Sequence, residues 1–132
     1  MKIQEHPNAL LVRQAWLAVA HSDIEALQEF WAEDIVWHAT ARSPWQGDKY
    51  GIASVFEYLA QIGEHEGSTD ISLVSVMAND TYGALIIRVG AKQEEEPVQL
   101  DTLLLCRFVD RRIQEVWSMA LEPKAVEEFW ER

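Results

Sequence analysis

The chain predicts an α+β fold, because its first half reads as amphipathic helices and its second as strands cut apart by short turns. Ala9, Val12, Trp16, Val19 and Ala20 recur at helical spacing, whereas from Thr69 onward the apolar residues follow a period of two. Asn79-Asp80, Glu94 to Pro97 and Asp110-Arg111 are the turns that divide the second half. Helices that precede an antiparallel meander must be wrapped by it to share one core, so the sheet is expected to curve around them.

Pro7 suits the first turn of a helix, where its missing N–H costs nothing, and that helix should run to His21. Ser22-Asp23-Ile24-Glu25 has the form of a capping box, in which hydroxyl and carboxylate satisfy backbone amides at the start of a second, short helix through Leu27, Phe30 and Trp31. A strand from Asp34 to Thr40 and a loop with Pro44 and Gly47 follow. Ile52, Val55, Phe56, Leu59 and Ile62 mark a third helix that Gly67 ends. Strands near Asp70 to Ala78, Tyr82 to Lys92, Val98 to Phe108 and Ile113 to Leu121 complete the sheet, and Pro123 starts a short terminal helix ending in Phe129-Trp130.

At 132 residues, 48% of them hydrophobic, the chain is expected to form one domain spanning 1–132 with a sizeable core. Eleven basic residues against 22 acidic ones give a formal charge of −11, which argues against binding to nucleic acid or to an anionic membrane surface. Glu94, Glu95 and Glu96 read as a solvated turn. The lone cysteine, Cys106, lies in the apolar run Leu103 to Phe108 and cannot form an intramolecular disulfide, which fits a reducing compartment. Glu5, His6 and Pro7 interrupt any signal-peptide pattern at the start, and no apolar stretch approaches the roughly 18 residues of a membrane span. A cytoplasmic location is expected.

Asp34-Ile-Val-Trp-His-Ala-Thr40, followed by Ser43-Pro-Trp-Gln-Gly47, is the most informative stretch. With His6-Pro7-Asn8, Ser22-Asp23-Ile24 and Ile113-Gln-Glu-Val-Trp117 in the same order and spacing, it resembles SnoaL-like domains, of the superfamily that includes nuclear transport factor two and the steroid isomerases. The resemblance covers nearly the whole chain. It implies a cone-shaped, mixed but mainly antiparallel sheet wrapped around three N-terminal helices, with one apolar pocket inside. It also implies a homodimer formed through the sheet, to which the apolar Leu103 and Leu105 would contribute by covering the other sheet face. One departure is Arg111, where the last hairpin usually carries a glycine, so that the arginine either takes a left-handed backbone or signals another turn.

Alternation places Ile35, Trp37 and Ala39 on one face of their strand and Val36, His38 and Thr40 on the other. Thr102, Leu104, Cys106 and Phe108 group similarly, as do Val116, Ser118 and Ala120, provided that no bulge shifts the register. By resemblance the Trp37, Leu104 and Ser118 sets face the pocket, and Trp16, Trp37, Ala39, Phe56, Arg88, Leu104, Cys106 and Ser118 are the ligand-binding candidates. The resemblance also sets out which catalytic groups are missing. The two carboxyls of steroid isomerases fall on Ala39 and Leu104; the carboxylates that bracket an arginine in limonene-type epoxide hydrolases fall on Gly90 and Ser118, with only Arg88 matched; and the aspartate that usually follows the last tryptophan of the cyclases is Ser118.

Two titratable candidates remain. His38 suits a general base near neutral pH, and Asp101 in an apolar strand could act as an acid, although strand parity turns both away from the pocket set. Arg88 either binds an acidic or enolate group or pairs with an acid on the outer sheet. No His/Cys/Asp/Glu spacing suggests a metal, no glycine-rich loop suggests a nucleotide, and no cofactor is expected. The expected function is binding of a small hydrophobic molecule, for which an acidic or carbonyl end would suit Arg88. The alternatives are an isomerase, cyclase or hydrolase of polyketide- or steroid-like substrates, or a protein-interaction subunit using the open sheet face.

Overall fold

Pro7 opens the first helix as expected, and the histidine before it caps that helix: Nδ1 of His6 accepts from the Asn8 amide at 3.0 Å. The computed structural model describes residues 5–40, 46–66, 70–93, 96–121 and 124. Helices α1 (Pro7–Ala20) and α2 (Ile24–Phe30) precede β1 (Trp31–Ala39) and β2 (Gly47–Tyr50), then come α3 (Ile52–Glu66) and the meander β3 (Asp70–Ala78), β4 (Tyr82–Gln93), β5 (Glu96–Val109) and β6 (Arg112–Ala120). The strands form one mixed sheet in the order β2-β1-β6-β5-β4-β3, open at both edges, in which only β1 and β6 run parallel. Gly67 and the terminal helix expected from Pro123 lie outside the described residues.

α1 buries Ala9, Val12, Ala15 and Ala18, three residues apart, so a stripe of small side chains lets the helix approach β3 and β4 closely. α3 lies against β1, β2 and β4 through Val55 and Tyr58. Between helices and sheet sits the core, with Leu27, Ile35, Val12, Val55 and Cys106 almost wholly buried.

Three details differ from the sequence reading. Asp23, not Ser22, caps α2, accepting from the Ala26 amide at 3.1 Å, while Ser22 takes a left-handed backbone with φ 54°. Trp31 is the first residue of β1 rather than the last of α2, and its ring is buried in the core. β2 is a strand where the sequence predicts loop, because Gly47-Asp-Lys-Tyr50 has no apolar alternation; its pairing with β1 is made by backbone and by polar side chains.

The bulge that could have shifted the register is present, but in a harmless place. Arg107 pairs with Glu115 and Phe108 with Ile113, which leaves Gln114 as the extra residue. Its side-chain amide donates to the Asp34 carbonyl at 3.2 Å and carboxylate at 3.1 Å, tying the bulge to the irregular start of β1. From Val116 onward the expected parity holds, since Val116 pairs with Cys106 and Ser118 with Leu104.

Candidate functional site

The inner face of the sheet carries Ile35, Trp37 and Ala39 from β1, Leu85 and Val89 from β4, Leu104, Cys106 and Phe108 from β5, and Val116 from β6, all buried. Ser118 joins this face, paired with Ala39 on one side and Leu104 on the other. Trp16 of α1 and Phe56 of α3 pack against the same core but remain partly exposed, as do Leu59, Ile62 and Ile87. No charged or hydrogen-bonding side chain is buried among the described residues apart from aromatic and thiol groups. Burial pushes the Cys106 thiol up to about 12, against a small opposing effect of the Gly83 backbone, so the thiol is inert at neutral pH.

Aromatic rings cluster at the β1 end of this face. Trp37 lies 6.1 Å from Trp31 and 6.4 Å from Tyr58, with interplanar angles of 58° and 57° that suit edge-to-face contact. Trp37 pairs across the strands with Lys49, whose ammonium sits 5.5 Å from the centre of the Tyr58 ring. The Trp37 indole N–H is buried and has no hydrogen-bond partner. Trp31, Tyr58 and Lys49 were not among the sequence candidates. Tyr58 carried a usable signal, three residues after Val55 on the buried stripe of α3, whereas Lys49 lay in a strand that alternation did not reveal.

His38 and Asp101 both lie on the outer face, so neither acid–base candidate shares the inner surface with Trp37 and Leu104. Arg88 is there too: its guanidinium Nε donates to Asp101 at 3.1 Å, and the side chain is 47% exposed. Of the two readings of Arg88, the pairing with an acid on the outer sheet is the one observed, and its place among the ligand-binding candidates is corrected. Alternation along β4 turns Leu85, Ile87 and Val89 inward, and Arg88, which lies between the last two, outward.

The outer face has a polar cluster of its own. His38 Nδ1 lies 2.7 Å from Asp48 and Nε2 lies 2.5 Å from Glu115, which also accepts from Arg107 Nη2 at 3.2 Å. The imidazole stacks on Trp117 at 5.5 Å. Hydrogen bonding to Glu115, helped by Asp48, raises the His38 pKa above its ordinary value and outweighs desolvation. Asp48 and Glu115 are held below the usual carboxylate range, in each case chiefly by the hydrogen bond from His38. A carboxylate within hydrogen-bonding reach of each ring nitrogen favours the protonated imidazole, and the cluster joins β2, β1, β6 and β5 on the outer face.

A cleft of about 650 Å³ opens elsewhere, at the turn end of the molecule, lined by His6, Pro7, Asn8, Leu11, Asp80, Phe108, Asp110 and Arg111. None of the sequence candidates lines it. Its rim is the exposed His6–Asp80 pair, 2.9 Å apart, together with the β5–β6 turn.

This architecture, a mixed sheet folded over three helices around an apolar inner face, is the fold of solved NTF2-like proteins. Residues 12–116 match the SnoaL-like domain, and the chain belongs to that family. Among solved structures it is similar to Bal32a from a soil-derived mobile gene cassette, at 25% identity, with 93% of this chain and 95% of that one covered and a TM-score of 0.82. It is also similar to a protein of unknown function with a cystatin-like fold from Xanthomonas campestris, at 21% identity over 96% and 100% of the two chains with a TM-score of 0.78. A candidate polyketide cyclase from Streptomyces antibioticus, IdmH, is 16% identical over 93% and 98%, with a TM-score of 0.70. Below 25% identity these likenesses speak for the fold alone. Among curated proteins no match was found. No helix among the described residues is long and apolar enough to cross a membrane.

Proposed function

We propose that this SnoaL-like protein binds a small, largely hydrophobic molecule between α1, α3 and the inner face of its sheet. The observation that carries the reading is the row of large apolar side chains, Trp16, Phe56, Leu59, Ile62 and Ile87, that pack on the core yet stay partly exposed. Covering such surface contributes about 25 cal/mol per Å². Binding is favoured over turnover, because the places where relatives keep acids or bases are filled by Ala39, Leu104, Gly90 and Ser118. The competing reading, an isomerase, cyclase or hydrolase of polyketide- or steroid-like substrates, draws support from the fold likeness to IdmH. The test is thermal unfolding with increasing 1-acetonaphthalene, a neutral probe: a saturable rise in Tm is expected, reduced in Trp16→Ala. No rise up to the probe's solubility limit contradicts the reading.

A homodimer through the outer sheet face is part of the proposal. Leu103 pairs with Met119, and Leu105 with Trp117; all four are only partly buried, and Ile86 lies beside them. An apolar strip of this kind is more stable covered. An interaction subunit would use the same strip for a different partner, so hetero-association in place of self-association supports that reading. The proposal takes residues 1–132 as one domain, and the buried, unpaired Cys106 suits a reducing cytoplasm.

A further inference from the structure

We infer that the polar end of this pocket is Lys49 together with Trp37, and that the bound molecule carries one anionic oxygen, a carboxylate or enolate, on an otherwise apolar body. The inference rests on the pocket reading above and adds the chemistry that would orient the ligand there. Cross-strand pairing places Lys49 beside Trp37 on the inward side of β2 and β1, while Asp48 and His38, one residue along each strand, bond to each other on the outer side. The two inward residues meet over one ring: the Lys49 ammonium lies 5.5 Å from the Tyr58 centroid and the Trp37 ring 6.4 Å from it.

Both groups have donors to spare. The Trp37 indole N–H is buried with no partner, which leaves its desolvation uncompensated. Lys49 makes no direct ion pair among the described residues; its ammonium sits over the face of Tyr58 and acts on the neighbouring Asp48 only through its field, whereas Arg13, Arg88 and Arg107 each face a carboxylate directly. An oxygen carrying negative charge accepts from both groups and neutralises the ammonium; a neutral carbonyl accepts more weakly and leaves the ammonium's charge uncompensated. The apolar surroundings, with Trp31, Ala39 and Leu104 nearby, strengthen such a bond by excluding water. Because the indole nitrogen is out of reach of solvent, neighbouring side chains must shift for the acceptor to reach it.

Titration with 1-naphthoate, 1-acetonaphthalene and 1-methylnaphthalene, on wild type and on Lys49→Met, Trp37→Phe and Arg88→Met, tests this. Wild type is expected to bind naphthoate at least tenfold more tightly than the ketone. Lys49→Met should abolish that preference, Trp37→Phe should weaken both oxygen-bearing probes roughly threefold to tenfold relative to the hydrocarbon, and Arg88→Met should change nothing. Naphthoate preference that survives in Lys49→Met, or is lost in Arg88→Met, overturns the inference while leaving the pocket intact. Failure of all three probes to bind wild type overturns the pocket and the inference together. Should Trp37→Phe not fold, the indole N–H resonance of wild-type Trp37 decides: it must move downfield with naphthoate and not with methylnaphthalene, and an unmoved signal refutes the indole's part.

Discussion

Glu115 Oε2 lies 2.5 Å from His38 Nε2, and the two side chains join neighbouring parallel strands on the face of the sheet away from the pocket. The pairing makes the outer face sensitive to pH in a definite direction. A histidine whose pKa is raised on folding contributes stability in full below its ordinary 6.5, and that contribution is lost as pH rises through the folded value. Asp48 and Glu115, with lowered pKa values, contribute above the carboxylate range and lose it as pH falls through their folded values. Urea unfolding should therefore show the cluster's contribution greatest between about pH 5 and 6.5 and declining as pH rises above that window, with His38→Asn flattening that decline. An equal decline in the variant would remove His38 as the cause.

The turn Asp110-Arg111 has both residues left-handed, with φ 50° and 64°, the pattern of a tight two-residue hairpin. Arginine pays a steric penalty there that glycine avoids, so Arg111→Gly should stabilise the protein by about 1 kcal/mol, less what glycine gains in the unfolded state. A loss of stability in chemical denaturation would show that the Arg111 side chain makes contacts that outweigh the backbone.

Gly83 on β4 has no room for a side chain, since a Cβ there would stand 2.8 Å from Phe108 Cζ and 3.0 Å from Cys106 Sγ. Overpacking of this sort costs about 1–3 kcal/mol, so Gly83→Ala should unfold at a correspondingly lower urea midpoint. In the native wild type, Cys106 should react with a thiol reagent only as fast as the protein opens.

Steroid isomerase and limonene-epoxide hydrolase activities should both be absent, because loss of a general base alone commonly costs ~10²–10⁴-fold. Ala39 and Leu104 are buried on the inner face, and His38 and Asp101 are on the other side of the sheet. Turnover at ordinary enzyme rates after repurification would show a base that this arrangement does not provide.

Hydrophobic period sufficed for the helices and the meander, because α1, α3 and the strands from Asp70 onward each bury one face. It also separated Trp37 from His38, since a strand's parity survives as long as no bulge intervenes. It failed for β2, whose Asp48 and Lys49 are held by an imidazole and an aromatic ring rather than by burial. For Arg88 it was resemblance that misled, by suggesting a pocket role, whereas alternation along β4 turns the side chain outward to Asp101. Trp37 and Tyr58 were each legible as inward-facing, but their meeting with Lys49 was not: three elements contribute one residue each, and nothing in local spacing joins them.

Intermolecular NOEs from bound 1-acetonaphthalene to the isotopically labelled protein test the central claim most directly. The account predicts contacts to Trp16, Phe56 and Leu104, the walls between α1, α3 and β5. Contacts confined to Pro7, Leu11 and Phe108 would place the ligand in the cleft at the turns, and contacts confined to Leu105 and Trp117 would place it on the outer face; either result contradicts the account.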